Sequence, residues 1–158
     1  MNEIDVIGGT KRQRDYARSM VNYCIKKLMP RMNTLEIEVK LTKLKGDANG
    51  YCLRETDRTY FIEADPTIGQ RAMLETVAHE MVHVKQYARR EMTDYVHSNG
   101  VASKAKYWKW KDRMVSDATD YWDLPWEIEA NGRECGLFIR WAQQEGYGDK
   151  KWANINSK

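Results

Sequence analysis

The stretch His79-Glu80-Met81-Val82-His83 constrains this chain more than any other part of its sequence. Residues four apart lie on the same face of an α-helix, one turn above each other, so both imidazole rings can reach a single ion. Apolar residues recur around this motif at spacings of three and four, which predicts an amphipathic helix over residues 70–88. These apolar residues are Met73, Leu74, Val77, Ala78, Met81 and Val82. The two histidines and Glu80 fall beside this stripe, where a site can open.

Two imidazoles one helical turn apart are typical of a hydrolytic zinc site. Zinc accepts histidine nitrogens at about 2.0–2.1 Å in a tetrahedral arrangement, so His79 and His83 would supply half of the ligands of a bound Zn²⁺ ion. A glutamate directly after the first histidine is the general base of metalloproteases with this motif, and we expect Glu80 to have that role. The alternative is a buried helix whose histidines only form hydrogen bonds. The chain has 3 histidines in all, and the presence of two of them here favours the metal.

A second informative stretch runs from Asp120 to Asn131 and predicts a helix over residues 125–144. Pro125 suits the first position of a helix, with Asp123 near the N-cap. The residues that this helix is expected to bury are Ile128, Cys135, Phe138 and Trp141.

Two glutamates near the start of this helix are candidates for the third metal ligand. A catalytic zinc ion has three protein ligands, and two histidines with one glutamate form one of the known sets. We expect Glu127 to be the third ligand, while Glu129 and His97 remain alternatives on ligand chemistry alone. Both glutamates can instead simply complement the helix dipole. Asn131, one turn after Glu127, is expected to hydrogen-bond a ligating imidazole.

The first half of the chain predicts one helix and a small sheet. Thr10 and Gln13 fit a capping box, and apolar residues at three- and four-residue spacing predict a helix over residues 11–29, which Pro30 ends. Alternation of apolar and polar residues predicts strands at 35–41, 51–54 and 59–63, after a short strand around Ile4 and Val6. We expect an antiparallel three-stranded sheet with 59–63 at its edge. Such an edge beside a metal helix can bind a peptide by strand addition.

Composition indicates an ordinary globular protein. The 158 residues suit a single domain, and 42% are apolar and 31% charged. Three cysteines, widely spaced and odd in number, predict reduced thiols and neither a disulfide framework nor a cysteine zinc site. No apolar run approaches a membrane span and no signal-peptide core follows the first residues, so we expect a cytoplasmic protein without a membrane partner.

The segment Lys104–Lys111 is basic with interleaved aromatic residues, a pattern that can follow a nucleic-acid backbone and stack on bases. The other interpretation is a surface segment in which Tyr107, Trp108 and Trp110 pack down while the lysines stay in water. The net charge of +3, from 26 basic and 23 acidic residues, provides no wider basic field and favours packing.

Leu74–Gln86 resembles the corresponding helix of SprT-like domains, including small bacteriophage proteins that are assigned as metallopeptidases. In those proteins a Pro-Trp-Glu-x-Glu-Ala segment follows, and Leu124–Ala130 is similar to it. Other zincin families bind metal through the glutamate of Glu-x-x-Ala-Asn, which Glu127–Asn131 resembles. Better-known SprT-like proteases take a third histidine from a loop after the helix. His97 would correspond to it, although the residues that follow do not reproduce the family's His-Gly.

The resemblance, which spans about residues 10–145, implies a zincin-like α+β fold. Its expected parts are an N-terminal helix, the small antiparallel sheet, the helix of His79 and His83, and a C-terminal helix that carries the third ligand. Residues 1–158 are expected to form one such metallopeptidase domain, in the host cytoplasm if a phage encodes it.

The function expected from these features is zinc-dependent hydrolysis of peptide bonds in a protein or peptide substrate. Glu80 would take a proton from zinc-bound water and pass it to the leaving nitrogen. Tyr121 or His97 would be a further donor to the oxyanion. The alternative is a metal-binding or DNA-associated interaction module with little or no turnover. The oligomeric state and the natural substrate are not readable from the sequence.

Overall fold

The computed structural model describes residues 1–94 and 107–155, and within these ranges it is a mixed α+β fold of three α-helices and two small sheets. The helices are α1 (Lys11–Leu28), α2 (Gln70–Ala88) and α3 (Pro125–Gln144). The strands are β1 (Glu3–Gly8), β2 (Glu36–Leu41), β3 (Gly50–Arg54), β4 (Thr59–Ala64), β5 (Met92–Asp94), β6 (Tyr107–Trp110) and β7 (Arg113–Ser116). Among the described residues, no helix combines the length and the apolar character that crossing a membrane requires.

Local signals place all three helices correctly. The capping box of α1 is present, because the backbone N–H of Gln13 donates to Thr10 Oγ1 while its side chain accepts from the N–H of Thr10. Both α2 and α3 have the predicted bounds. The N-cap of α3 is Leu124, which provides no side-chain hydrogen bond, and Asp123 lies directly before it, near the N-cap as expected. Asp123 ends a short 3₁₀ turn that begins at Tyr121.

The first sheet differs from the prediction in strand order and direction. Its order is β1-β2-β4-β3, with β1, β2 and β4 parallel and only β3 antiparallel to its neighbour. The expected antiparallel three-stranded sheet over residues 35–63 is therefore wrong. A tight turn joins β3 to β4 and makes this pair antiparallel, but β4, not β3, lies next to β2.

The burial of its side chains explains why β4 has an inner position in the first sheet. Its Tyr60 and Ile62 are fully buried, whereas Leu53 on β3 is exposed. The strand expected at the edge, 59–63, is thus central, and β3 is the edge strand next to α2. A three-stranded antiparallel sheet does occur, but later in the chain, where β5, β6 and β7 pair in that order.

The core lies between one face of the first sheet and the helices α1 and α2, and α3 packs against α2. On α3 the buried face carries Ala130, Phe138 and Trp141. Phe138 and Trp141 are buried as expected, but Ile128 is 57% exposed and Cys135 is also exposed, so these two predictions are wrong. Ile128 and Cys135 are seven residues apart, so they lie on the same face of α3, and this face is exposed to solvent.

The second sheet covers the start of α3. Trp110 is buried against Trp126, and the ring of Trp108 lies 5.9 Å from that of Trp126. Tyr107 stays 41% exposed, so the packing interpretation holds for the two tryptophans and not for the tyrosine. Lys109 is exposed, while Lys104 lies outside the described residues.

Candidate metal centre

Helices α2 and α3 bring the three expected ligands together. Glu127 Oε2 lies 3.2 Å from His79 Nε2, and Glu127 Oε1 lies 3.3 Å from His83 Nε2. The two imidazole rings are 4.9 Å apart at an angle of 77°. One ligand atom from each residue can be chosen so that all lie within 4.8 Å of one another. The i, i+4 spacing on α2 and the position of Glu127 in the first turn of α3 account for this convergence.

The chemistry and spacing of these donors fit zinc. Ligand atoms about 2.0–2.1 Å from a tetrahedral ion lie about 3.3 Å from each other. The two contacts of Glu127 with the imidazoles, 3.2 and 3.3 Å, are of this length but come from different oxygens of its carboxylate. With one donor atom taken from each residue, the three lie within 4.8 Å of one another. Two imidazole nitrogens and one carboxylate are a known catalytic zinc set, so the residues present suit a zinc ion by their chemistry.

Without a metal, the three side chains form a charged hydrogen-bonded cluster. Burial lowers the pKa of His79, but hydrogen bonds to Glu127 and Glu134 outweigh it and raise the pKa to about 10. The pKa of His83 is raised against the effect of burial by its contact with Glu127. Burial favours a higher pKa for Glu127, yet hydrogen bonds from both imidazoles hold it well below its usual range. A metal must therefore displace protons from this cluster.

Each imidazole has a partner for its second nitrogen. Glu134 Oε2 lies 2.7 Å from His79 Nδ1, and Gln86 Oε1 lies 2.8 Å from His83 Nδ1. Such contacts orient a metal ligand and fix its tautomer. Sequence reasoning assigned this role to Asn131, which is wrong. The Asn131 amide donates to the backbone oxygen of Glu127 on its own helix.

The two missed partners do leave a signal in the sequence. Glu134 is seven residues after Glu127, so both lie on one face of α3 two turns apart, and Gln86 is three residues after His83. The roles of Glu134 and Gln86 both follow from helical spacing once the face of α3 that meets α2 is known.

Glu80 lies in the cleft beside the ligands and is only 6% exposed. Its pKa is raised, chiefly because burial penalises the charged carboxylate. The edge strand approaches it closely, since a Cβ atom added to Gly50 would lie 3.1 Å from Glu80 Oε1. A carboxylate with a raised pKa suits a general base that works near neutral pH.

Glu129, one of the two alternative ligands, is not at the centre. Glu129 is bonded to Lys85 at 2.7 and 2.9 Å, to Gln86 at 3.0 Å and to Arg133 at 3.2 Å. Its carboxylate therefore belongs to the contact between α2 and α3 behind His83. His97 lies outside the described residues.

Comparisons of the chain with family models, with curated proteins and with solved structures found no match. The similarity to SprT-like domains therefore remains that of the two motifs around His79–His83 and Leu124–Ala130.

The centre lies in a cleft of about 860 Å³ between β3, α2 and the start of α3. Six of the residues that line this cleft are aromatic. They are Tyr51, Tyr87, Trp108, Tyr121, Trp122 and Trp126. The hydroxyl of Tyr121 donates to Glu127 Oε2 at 2.9 Å, so one of these aromatic residues contacts the ligand carboxylate.

Proposed function

We propose that this chain is a zinc-dependent metallopeptidase of zincin type, in which His79, His83 and Glu127 hold the ion and Glu80 is the general base. The observation that carries the proposal is the convergence of these donor atoms, within 4.8 Å of one another, beside a buried carboxylate in an open cleft. A structural zinc site usually has four protein ligands and is rich in cysteine, whereas a catalytic site keeps a position for water. The donor set and the cleft favour catalysis.

The roles of the side chains follow from their positions. When bound, zinc supplies Lewis acidity, which lowers the pKa of water and polarises a carbonyl group. Glu80 accepts the proton of the attacking water and donates it to the nitrogen of the leaving group, so the bond between carbonyl carbon and nitrogen breaks without a free amide anion. The one hydrogen of the Tyr121 hydroxyl is donated to Glu127 Oε2, so Tyr121 would stabilise charge on the carbonyl oxygen only after releasing that bond.

The edge strand β3 provides a place for an extended peptide. The backbone bonds Glu55 N–H to Thr59 O and Asp65 N–H to Asn49 O indicate which pairs are hydrogen-bonded in the β3–β4 ladder. Because such pairs alternate, the backbone groups of Gly50, Cys52 and Arg54 point away from β4. Gly50 and Cys52 line the cleft. A peptide paired with this edge would pass Glu80, which supports a protein or peptide substrate.

The competing function, a metal-binding or DNA-associated module, gains little support from the basic segment Lys104–Lys111. Trp110 is buried against Trp126, so it is not an exposed platform for base stacking, which is how such segments bind single strands. Trp108 is half-buried 5.9 Å from Trp126, where it lines the cleft of the metal centre.

The decisive experiment separates the base from the ligands. Protein loaded with one equivalent of zinc is incubated with labelled casein, an unstructured general substrate, and fragments are followed with time. Glu80→Gln is expected to keep zinc and to lose activity by a factor of about 100 or more, since an amide cannot accept the proton. The matched control is Glu75→Gln on the same helix, whose carboxylate is paired with Arg71. This control should keep both zinc and activity.

Two results would contradict the assignment. If Glu80→Gln lost zinc together with activity, Glu80 would be part of the metal site and not the base. If the wild type bound zinc fully but cleaved neither casein nor a set of unfolded proteins, the module without turnover would be the better description.

A further inference from the structure

Gln86 lies one turn after His83 on α2, and its side chain is fully buried where α2 meets α3. A buried amide must place its donor and its acceptor correctly, because an unmatched polar group in the interior is costly. The orientation of this amide can be derived from its neighbours.

The neighbours on the side of α3 accept hydrogen bonds and cannot donate them. Gln86 Nε2 lies 2.9 Å from the backbone oxygen of Trp126 and 3.0 Å from Glu129 Oε1. A carbonyl oxygen and a carboxylate both require a donor, so the NH₂ group must face α3. The amide oxygen of Gln86 therefore faces the other way, towards His83.

This orientation determines the state of the His83 ring. Gln86 Oε1 is 2.8 Å from His83 Nδ1 and can only accept, so Nδ1 must carry a hydrogen. A metal binds the neutral imidazole, and in that form of His83 the one hydrogen is on Nδ1 and the lone pair is on Nε2. Nε2 is the atom 3.3 Å from Glu127 Oε1, at the position of the candidate metal.

A buried ion pair holds Glu129 where Gln86 needs it. Lys85 is only 5% exposed, and its ammonium group contacts both carboxylate oxygens of Glu129 at 2.7 and 2.9 Å. A buried lysine is tolerated only when it is paired and hydrogen-bonded. These contacts hold the Glu129 carboxylate in place, with Oε1 3.0 Å from Gln86 Nε2, and so fix the amide of Gln86.

His79 is supported differently. Its Nδ1 faces the carboxylate of Glu134, whose side chain is 30% exposed, whereas His83 is supported by a neutral amide in the interior. Since Glu80, Glu127 and Glu134 already surround the histidines, a neutral partner for the second imidazole adds no further negative charge.

We propose that Gln86 is a positioning residue of the metal centre. Gln86 holds His83 with Nδ1 protonated and Nε2 free for the ion, and the Lys85–Glu129 pair fixes Gln86 in this role. The proposal rests on the metal centre proposed above, but it does not depend on peptidase activity.

The test compares three variants by zinc affinity, measured in competition with a chelator. Gln86→Met removes the acceptor at nearly constant volume, and zinc affinity should fall by about 10–100-fold. Glu129→Gln allows the amide of Gln86 to turn over, although Trp126 still opposes this, and should cause a smaller loss. The matched control is Arg133→Ala, which removes an exposed partner of the same carboxylate at 3.2 Å and should bind zinc like the wild type.

A spectroscopic measurement separates positioning from general stability. In the zinc-loaded wild type, ¹⁵N-resolved NMR should show zinc on His83 Nε2 and a downfield, slowly exchanging hydrogen on His83 Nδ1. In Gln86→Met this hydrogen should exchange rapidly, while the corresponding hydrogen of His79 is unchanged. If Gln86→Met does not fold, as judged by circular dichroism, the wild-type spectrum and Glu129→Gln decide.

The inference is overturned if zinc binds His83 through Nδ1, or if folded Gln86→Met matches the wild type in affinity and exchange. A wild type that takes up no zinc overturns the metal centre and this proposal together. A wild type that binds zinc without cleaving protein contradicts only the proposed function, and the NMR result then still stands.

Discussion

Gly50 and Glu80 lie next to each other in the cleft, and the space between them is too small for a side chain at position 50. A Cβ atom at position 50 would lie 2.5 Å from Thr76 Cγ2 and 2.8 Å from the backbone oxygen of Glu63. Since the second neighbour is backbone, it cannot turn away as a flexible side chain would.

We therefore predict that Gly50→Ala lowers the free energy of unfolding by about 1–3 kcal/mol. It should also reduce peptidase activity, because β3 must move away from Glu80. Chemical denaturation and the casein assay measure the two effects. Gly136→Ala is the control: a Cβ there meets no atom within 4 Å. As a helical Gly→Ala change it should stabilise the protein by up to about 1 kcal/mol. Equal effects at both positions would refute the close contact.

Glu127 is the expected third ligand of the metal centre. Glu127→Ala removes a carboxylate that contacts both imidazoles, so zinc affinity should fall most strongly in this variant. In Glu129→Ala the zinc affinity should fall by less than in Glu127→Ala and by no more than in Gln86→Met, because Glu129 reaches His83 through Gln86. His97→Ala should bind zinc like the wild type. Chelator competition ranks the three variants, and a ranking with His97→Ala weakest would indicate a site of three histidines.

Sequence reasoning identified His79, His83, Glu80 and Glu127 because a short motif and a helix start contain them. It missed Glu134, since its contact with His79 depends on how α3 packs against α2. Spacing along one helix is local information, whereas a contact across two helices is not.

At the scale of elements, α2 and α3 are joined by a buried charge. Lys85 Nζ lies 2.7 Å from Glu129 and 2.7 Å from Glu91, and its side chain is 6% exposed. We predict that Lys85→Met destabilises the protein by about 3–5 kcal/mol, because two carboxylates lose the charge that compensates them. The control is Lys11→Met, which breaks an exposed pair with Asp15 and should have a far smaller effect, because water already solvates both charges. Urea unfolding measures both, and similar costs would contradict the prediction.

Sequence prediction of the fold fails at the order of the strands in the first sheet. Apolar periodicity, with Gly69 before α2 and Pro125 at the start of α3, predicted the correct bounds of both helices, because these signals are local in the sequence. The four strands of the first sheet were found as well, but not their order, and the three strands of the second sheet were not predicted. Alternation in β2 and β4 indicates which side chains are buried, and it is the same for parallel and antiparallel neighbours. Only the buried Tyr60 of β4 and the exposed Leu53 of β3 distinguish the central strand from the edge.

For the whole molecule, the state of the metal centre links stability to pH. In the metal-free protein the pKa of His79 is raised from 6.5 to about 10. A raised pKa contributes stability that is fully present below pH 6.5 and is lost as the pH rises towards 10. Zinc binding requires imidazoles without the extra proton, so the stabilisation by zinc should grow over the same range.

We therefore expect the melting temperature of metal-free protein to fall between pH 6.5 and about 9, and the increase caused by zinc to become larger. Thermal melts with a chelator and with excess zinc measure both trends. Glu134→Gln is the control, because it removes one of the two carboxylates that raise the pKa of His79, and its metal-free decline should be shallower. A zinc effect that shrinks as the pH rises would contradict the linkage.

The ligands lie on two helices, with His79 and Glu127 48 residues apart in the chain. When bound, an ion at this position would tie α3 to α2, so its binding free energy would also hold the two helices together. At a free zinc concentration 100 times the dissociation constant, this stabilisation is about 2.7 kcal/mol. A cell that withdrew zinc would stop catalysis and at the same time loosen α3 for degradation. Metal supply would then set the lifetime of the protein as well as its activity.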